Sequence, residues 1–220
     1  MIIANTADEL FEKVLEQMVP CTDEFVALEI INANLVLTQP CNNTMCNCKR
    51  NMSLKYAICE HLWYNSRNTK VSSINKYSKF WNNVSDDGEN VNSNYGYCVH
   101  DKFDFDQWEF VKSILTKNPN SRQAIIHIKE PRNLIENPTK DVNCTLTLQF
   151  LIRDNKLHLI TTMRSNDLWL GLPYDLFNFT CMQIQMAMEL NVELGYYYHN
   201  AGSLHLYARD LDKIKVKEEK

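Results

Sequence analysis

Apolar residues recur every three to four positions in some stretches of the chain and gather into β-branched and aliphatic runs in others, and these two patterns divide it into elements. Residues 7–18 set Leu10, Phe11, Val14, Leu15 and Met18 at helical spacing, and Pro20 ends the run. "FVALEIINANLVL" (25–37) reads as a strand, and "SLKYAICEHLWY" (53–64) as a helix that carries Glu60. A polar, turn-rich stretch over 82–94 and a helix over 106–118 stopped at Pro119 follow, so loops are expected around "NYGY" and "NPNSRQ".

From Thr145 to Met163 the pattern is two strands, "TLTLQFLIR" and "KLHLITTM", joined at Asp154-Asn155, a two-residue hairpin turn. Antiparallel pairing then sets Cys144, at the start of the hairpin, beside Arg164 at its end. "YDLFNFTCMQIQMAMEL" (174–190) is a long, mostly apolar helix suited to the centre of a domain. "VELGYYYHNAGSLHLYARD" (192–210) reads as strand, turn and strand.

Composition narrows the class. No Gly/Ser/Pro-rich linker divides the 220 residues, so a single domain over 1–220 is expected, with an N-terminal helix in 1–20 and a solvated tail over 211–220. With 45% hydrophobic residues it can bury a core. A net charge of −4 gives no general pull toward a nucleic acid polymer, so an anionic ligand must be small and held by local arginines. There is no 18-residue apolar segment and no basic start followed by an apolar run, which predicts a soluble, cytoplasmic protein with no membrane partner. The eight cysteines read as thiols, and the N-x-S/T triplets at Asn42, Asn51, Asn83, Asn143 and Asn178 as chance matches. "CNNTMCNC" (41–48), near Cys59 and His61, fits no common zinc spacing, so no metal is expected.

Chemistry-bearing residues cluster late in the sequence: Cys144, Arg164, Ser165, Asp167, Asp175, His205 and Tyr207, with Glu60, Tyr95 and Arg122 upstream. "NCTLTLQFLIRDNKLHLITTMRSNDLWLGLPYDLFNF" followed by "AGSLHLY" resembles the thymidylate synthase superfamily in the order and spacing of its cysteine, R-S-x-D, G-L-P and H-x-Y. "EHLW", "FW", "NSNYG" and "NPNSRQAIIHI" extend the resemblance over roughly residues 25 to 210. Within that superfamily "MRSND", "NSNYG" and "GSLH.Y" are similar to the deoxycytidylate hydroxymethylases.

The resemblance implies an α/β fold, a mixed β-sheet with helices packed on one face and a homodimer formed through the other. It implies a folate-dependent one-carbon transferase that uses 5,10-methylenetetrahydrofolate and a pyrimidine deoxynucleotide monophosphate. In such an enzyme Cys144 adds as a thiolate to ring carbon 6 and so activates carbon 5, with Arg164 as the nearby positive charge. Glu60 matches the general acid/base. Arg164 and Ser165 match phosphate-binding positions, helped by Arg122 from the second subunit. Asp167 and Trp81 match residues that hold and pack the folate, His205 and Tyr207 those that bond the sugar hydroxyl, and Tyr95 a further active-site position.

Asp175 departs from the synthases, which carry asparagine there to accept from uracil nitrogen 3 and donate to oxygen 4. A carboxylate accepts from the amino group of cytosine and has no donor for a uracil oxygen, so the substitution selects cytosine and points to dCMP hydroxymethylation. Methylation of dCMP, ordinary dUMP methylation and a catalytically weak nucleotide- or RNA-binding member of the fold are the other readings. The chain ends thirteen residues after Tyr207, short of the segment that closes over the folate in synthases, so water is expected to take the methylene. Thr145 replaces the histidine that follows the nucleophile in synthases. Gln123 stands where the family has a second arginine, and "TDEFVALEIINANL" lacks a basic residue for the phosphate. Each residue also has a plainer reading: Asp175 as N-cap of a helix starting near Leu176, Glu60 as a solvated helix residue, Arg122 and Arg164 as surface ion pairs, Cys144 and His205 as core side chains.

Overall fold

The computed structural model describes residues 1–46, 50–129 and 139–215. Its centre is a seven-stranded sheet in the order β1 (Ile2–Ala4), β3 (Val26–Leu37), β7 (Glu193–Tyr207), β6 (Lys156–Asp167), β5 (Thr145–Arg153) and β4 (Ile125–His127), with β2 (Val19–Pro20) also paired to β3. The β1–β3 and β6–β7 pairs are parallel and the others antiparallel, so the sheet is mixed. A parallel pair cannot be joined by a tight turn. The crossover between β6 and β7 is α6 (Leu172–Leu190), which packs back against both strands.

One sheet face is apolar and covered. Leu148, Phe150, Leu157, Leu159 and Tyr197 are buried on it, together with Leu10, Phe11 and Val14 of α1 (Ala7–Gln17) and Leu176, Phe179 and Met186 of α6. Burial of each such side chain contributes roughly 1.5–3 kcal/mol. The intervening residues Leu151, Ile160, Tyr196 and Tyr198 are only half-buried or exposed, so the opposite face presents aliphatic and aromatic groups at the surface. Several helices start where a short polar side chain accepts from a free amide of the first turn. Thr6 does so for α1, Ser53 for α2 (Leu54–Asn65) and Asp106 for α5 (Gln107–Lys117).

Several expectations hold closely. The hairpin turns at Asp154-Asn155, both with positive φ (50° and 57°), as a two-residue turn requires. The helices expected at 7–18, 53–64 and 106–118 differ from the observed ones by a residue at either end. Others need correction. Residues 1–20 are not helical throughout, since β1 precedes α1 and extends the sheet beyond β3. α3 (Phe80–Val84) runs into the polar region, and "NYGY", which loops were expected to frame, opens the short helix α4 (Tyr95–His100), where the Asn94 side chain accepts from the Tyr97 amide. Residues 192–210 do not turn back, and β7 is one strand of 15 residues. Within it Gly202 serves close approach, since a Cβ there would lie 2.8 Å from the Arg164 carbonyl oxygen. In the tail, α7 (Leu211–Lys215) is a single turn, and the remainder lies outside the described residues.

No helix among the described residues is long and apolar enough to cross a membrane. The cysteines among them are free thiols, and no three of their His, Cys, Asp or Glu side chains are placed to hold a metal. Cys48 of the 41–48 cluster lies outside the described residues.

Candidate active site

The hairpin brings its two ends together as antiparallel pairing demands. The Arg164 amide donates to the Cys144 carbonyl oxygen at 2.8 Å, and the Arg164 guanidinium donates to the carbonyls of Val142 (2.9 Å) and Asn143 (3.3 Å). Burial pushes the Cys144 thiol above its ordinary range, and the Arg164 charge pulls it partly back. The thiol is therefore poised to ionise only with further help from positive charge.

Past β6 the chain reverses sharply. Asp167 fixes that turn, its Oδ1 accepting from the amides of Trp169 (2.8 Å) and Leu170 (3.0 Å). α6 begins at Leu172 with Pro173 in its first turn, and Gly171 precedes it with no side-chain cap. Asp175 sits inside that first turn, so it is not the N-cap. Its carboxylate accepts instead from the Asn166 amide nitrogen at 2.7 Å and lines a cavity of about 650 Å³. Burial raises its pKa to about 7, opposed by the Asn166 hydrogen bond and reinforced by the charge of Asp167.

Cys144, Glu60, Arg164, Ser165, Asp167, Trp81, Tyr95, His205 and Tyr207 line the same cavity. Arg122 does not. It is exposed on the turn before β4, where its backbone carbonyl accepts from Gln149. Glu60 is no solvated helix residue, at 5% exposure. Its Oε1 accepts from the Tyr56 hydroxyl (2.5 Å) and its Oε2 from the Asn178 amide (2.9 Å). Burial pushes Glu60 up to about 8 despite these donors, and the Asp175 charge adds to the rise. Two carboxyl groups therefore change protonation near neutral pH on one cavity wall, next to a thiol.

Aromatic packing fixes the rest. Tyr95 stacks between Tyr64 and Phe179 with centroids 5.2 and 5.6 Å away, and the Trp81 indole nitrogen donates to the Tyr56 hydroxyl at 3.0 Å. His205 is buried, lies 3.4 Å from the Ser203 hydroxyl and meets the Tyr207 ring edge-on. The Arg209 guanidinium covers the Tyr207 ring at 4.3 Å and pairs with Asp167 at 3.5 Å.

Sequence reading missed several wall residues. Tyr56 was readable as the residue one helical turn before Glu60, on the same face. Arg50, buried under Trp169 and Tyr174, and Arg209 give the cavity cations that the thin arginine pattern around Gln123 did not suggest. Asn178 and Asn166 had no signal, because their contacts with Glu60 and His199 are made across the fold.

The profile of the thymidylate synthase family matches residues 36–220. Deoxycytidylate 5-hydroxymethyltransferase of Enterobacteria phage T4 is 30% identical over 193 residues, covering 83% of this chain and 76% of that protein. Thymidylate synthase of Bacillus atrophaeus is 29% identical over 179 residues, 78% of each chain. Among solved structures, the thermostable thymidylate synthase A of Bacillus subtilis superposes with a TM-score of 0.72 at 27% identity, covering 88% of this chain and 71% of that one.

Proposed function

The chain belongs to the thymidylate synthase family, and from that premise we propose that it transfers a hydroxymethyl group, derived from 5,10-methylenetetrahydrofolate and water, to carbon 5 of dCMP. The family performs folate-dependent one-carbon transfer to a pyrimidine nucleotide, and this chain is such a transferase with methylenetetrahydrofolate as cosubstrate. What carries the finer reading is Asp175, a carboxyl group on the cavity that also holds Cys144 and Glu60.

Cys144 adds through sulfur to carbon 6 of the cytosine ring, and the electron pair of the 5,6 double bond moves toward carbon 5 and the ring. Asp175 meets the pairing edge of the base. With a pKa near 7 it carries a proton part of the time, so one oxygen donates to ring nitrogen 3 while the other accepts from the 4-amino group. Glu60, also titrating near neutrality, takes the carbon 5 proton once that carbon holds the one-carbon unit and later the proton released by the adding water. The two protons end on the nitrogens of tetrahydrofolate, and the Cys144 sulfur leaves carbon 6 as the 5,6 double bond re-forms. Arg164 and Ser165 hold the phosphate, and His205 with Tyr207 the sugar hydroxyl. Trp81, Asp167, Arg50 and Arg209, which line the same cavity, would hold the cosubstrate. When bound it supplies a one-carbon unit at the oxidation level of formaldehyde, and the balance is dCMP, methylenetetrahydrofolate and water giving 5-hydroxymethyl-dCMP and tetrahydrofolate.

In the same reading two copies pair through the sheet face that α1 and α6 leave open, and Arg122 reaches the phosphate in the other copy. Incubation with dCMP, dUMP and methylenetetrahydrofolate, followed by product mass, tests the assignment. 5-Hydroxymethyl-dCMP supports it, 5-methyl-dCMP or dTMP replaces it with a methyltransferase, and no product with binding retained leaves a nucleotide-binding member of the fold.

A further inference from the structure

Behind Asp175 runs a chain of buried polar groups that the reaction outlined above does not use. Asn166 donates from Nδ2 to Asp175 Oδ2 at 2.7 Å, its Oδ1 lies 2.9 Å from His199 Nε2, and His199 Nδ1 lies 2.9 Å from the Tyr197 hydroxyl. Asn166 is 3% exposed, and His199 and Tyr197 are fully buried. Gly171 makes room for the first contact, since a Cβ there would lie 2.8 Å from Asn166 Nδ2 and 3.3 Å from Asp175 Oδ2.

Hydrogen-bond chemistry fixes the direction of this chain. An amide oxygen only accepts, so His199 Nε2 carries the hydrogen. Burial holds His199 neutral, its pKa pushed down to about 3, so Nδ1 accepts from Tyr197. Turning the Asn166 amide over would require all three groups to reverse together inside a packed core.

We propose that Asn166, its amide held in one orientation by His199 and Tyr197, is a positioning residue for substrate choice, which confines any proton on Asp175 to Oδ1 and so makes the carboxyl group read cytosine and reject uracil. The proposal rests on the dCMP reading above. Oδ2 already faces a donor and can only accept, from the 4-amino group of cytosine. Oδ1 is left to donate to, or accept from, nitrogen 3. Uracil needs the reverse, an acceptor at its nitrogen 3 hydrogen and a donor at oxygen 4. A free protonated carboxyl group can supply that arrangement by placing its proton on the other oxygen, much as an asparagine does. Asn166 forbids it, so uracil is refused in both protonation states of Asp175.

The ionisable groups that act on or through this carboxyl group are Glu60 and Tyr64 on α2, Tyr95 on α4, Cys144 before β5, Asp167 at the end of β6, and Tyr197 and His199 on β7. Glu60 is itself pushed up to about 8, but it acts on both bases alike, so the dUMP to dCMP ratio isolates Asp175.

The test is tritium release from carbon 5 of labelled dCMP and dUMP, given separately with methylenetetrahydrofolate between pH 6 and pH 8 (about one unit either side of the Asp175 pKa), by wild type, Asn166→Ala and Tyr197→Phe. Wild type should release label from dCMP and keep a low dUMP to dCMP ratio at every pH. In Asn166→Ala the ratio should rise roughly tenfold or more, most at low pH where Asp175 is protonated. Tyr197→Phe, which keeps the ring in place, should move the ratio the same way by less. The double variant Asn166→Ala/Asp175→Asn should use dUMP better than Asp175→Asn alone. Equal loss of both activities with an unchanged ratio in both single variants would overturn the role of Asn166. Failure of wild type to act on dCMP would instead overturn the assignment on which the proposal rests.

Discussion

Tyr56 and Glu60 stand one helical turn apart on α2, and the phenol donates to the Glu60 carboxylate at 2.5 Å while itself accepting from Trp81. A donor of this kind favours the ionised acid, against the burial that raises Glu60 to about 8.

Tyr56→Phe should therefore raise the Glu60 pKa further. A hydrogen bond to a charged group contributes about 1.5–3 kcal/mol, which corresponds to a rise of roughly one to two units. The limb of the rate profile that needs ionised Glu60 should move to higher pH by about that much. An unshifted profile would show that Tyr56 only packs against Tyr174.

Cys144→Ser and Cys144→Ala should abolish turnover while leaving thermal stability close to wild type, because one sulfur adds to carbon 6 and the side chain is only half-buried. Retained activity in Cys144→Ser, with Cys98 or Cys181 needed instead, would identify another nucleophile.

Arg122 is exposed and lies off the cavity of its own chain. Mixing Arg122→Ala with Cys144→Ala chains should restore part of the lost activity, since one site of the mixed dimer then has both groups. If subunits demonstrably exchange and no activity returns, Arg122 serves no neighbouring site.

Asp175 also bears on stability. Its folded pKa is raised to about 7, so the folded state binds its proton more tightly than the unfolded chain does. That favourable contribution is complete below the unfolded value near 4 and is lost as pH rises through about 7. Asp175→Asn removes a charge that is costly to bury at high pH. The variant should gain on the order of 2–4 kcal/mol relative to wild type between pH 4 and pH 8. Melting curves at the two pH values check this, and a difference that does not change with pH would contradict it.

Much of this arrangement could be read from the sequence because local chemistry dictates it. Asp154-Asn155 accepts the positive φ values of the hairpin turn, which sets Cys144 against Arg164 without reference to the rest of the fold. The apolar run of α6 foretold a buried helix, but its start was placed two residues late, since Leu172 and Pro173 already belong to its first turn. The turn expected within 192–210 is absent for the opposite reason, since Gly202 there meets a neighbouring strand that no local pattern reveals. The Asn166, His199 and Tyr197 chain was invisible, since it crosses from β6 to β7 between residues more than thirty positions apart and the tautomer that directs it depends on burial. Asp175 was legible as a departure from a familiar motif, whereas its support from behind was not.

The most direct measurement compares kcat/KM for dCMP and dUMP in wild type and Asp175→Asn. Loss of a charge-assisted contact and of the proton for nitrogen 3 should lower the dCMP value by on the order of 2–4 kcal/mol, roughly 30- to 1,000-fold. The dUMP value should rise when Asn166 is also replaced, because the new amide can then turn its nitrogen toward oxygen 4. A role confined to helix stability predicts no change in preference, because Asn and Asp serve the start of a helix about equally. If Asp175→Asn handles dCMP and dUMP in the wild-type ratio, Asp175 does not select the base, and the assignment of this chain as a dCMP hydroxymethylase is contradicted.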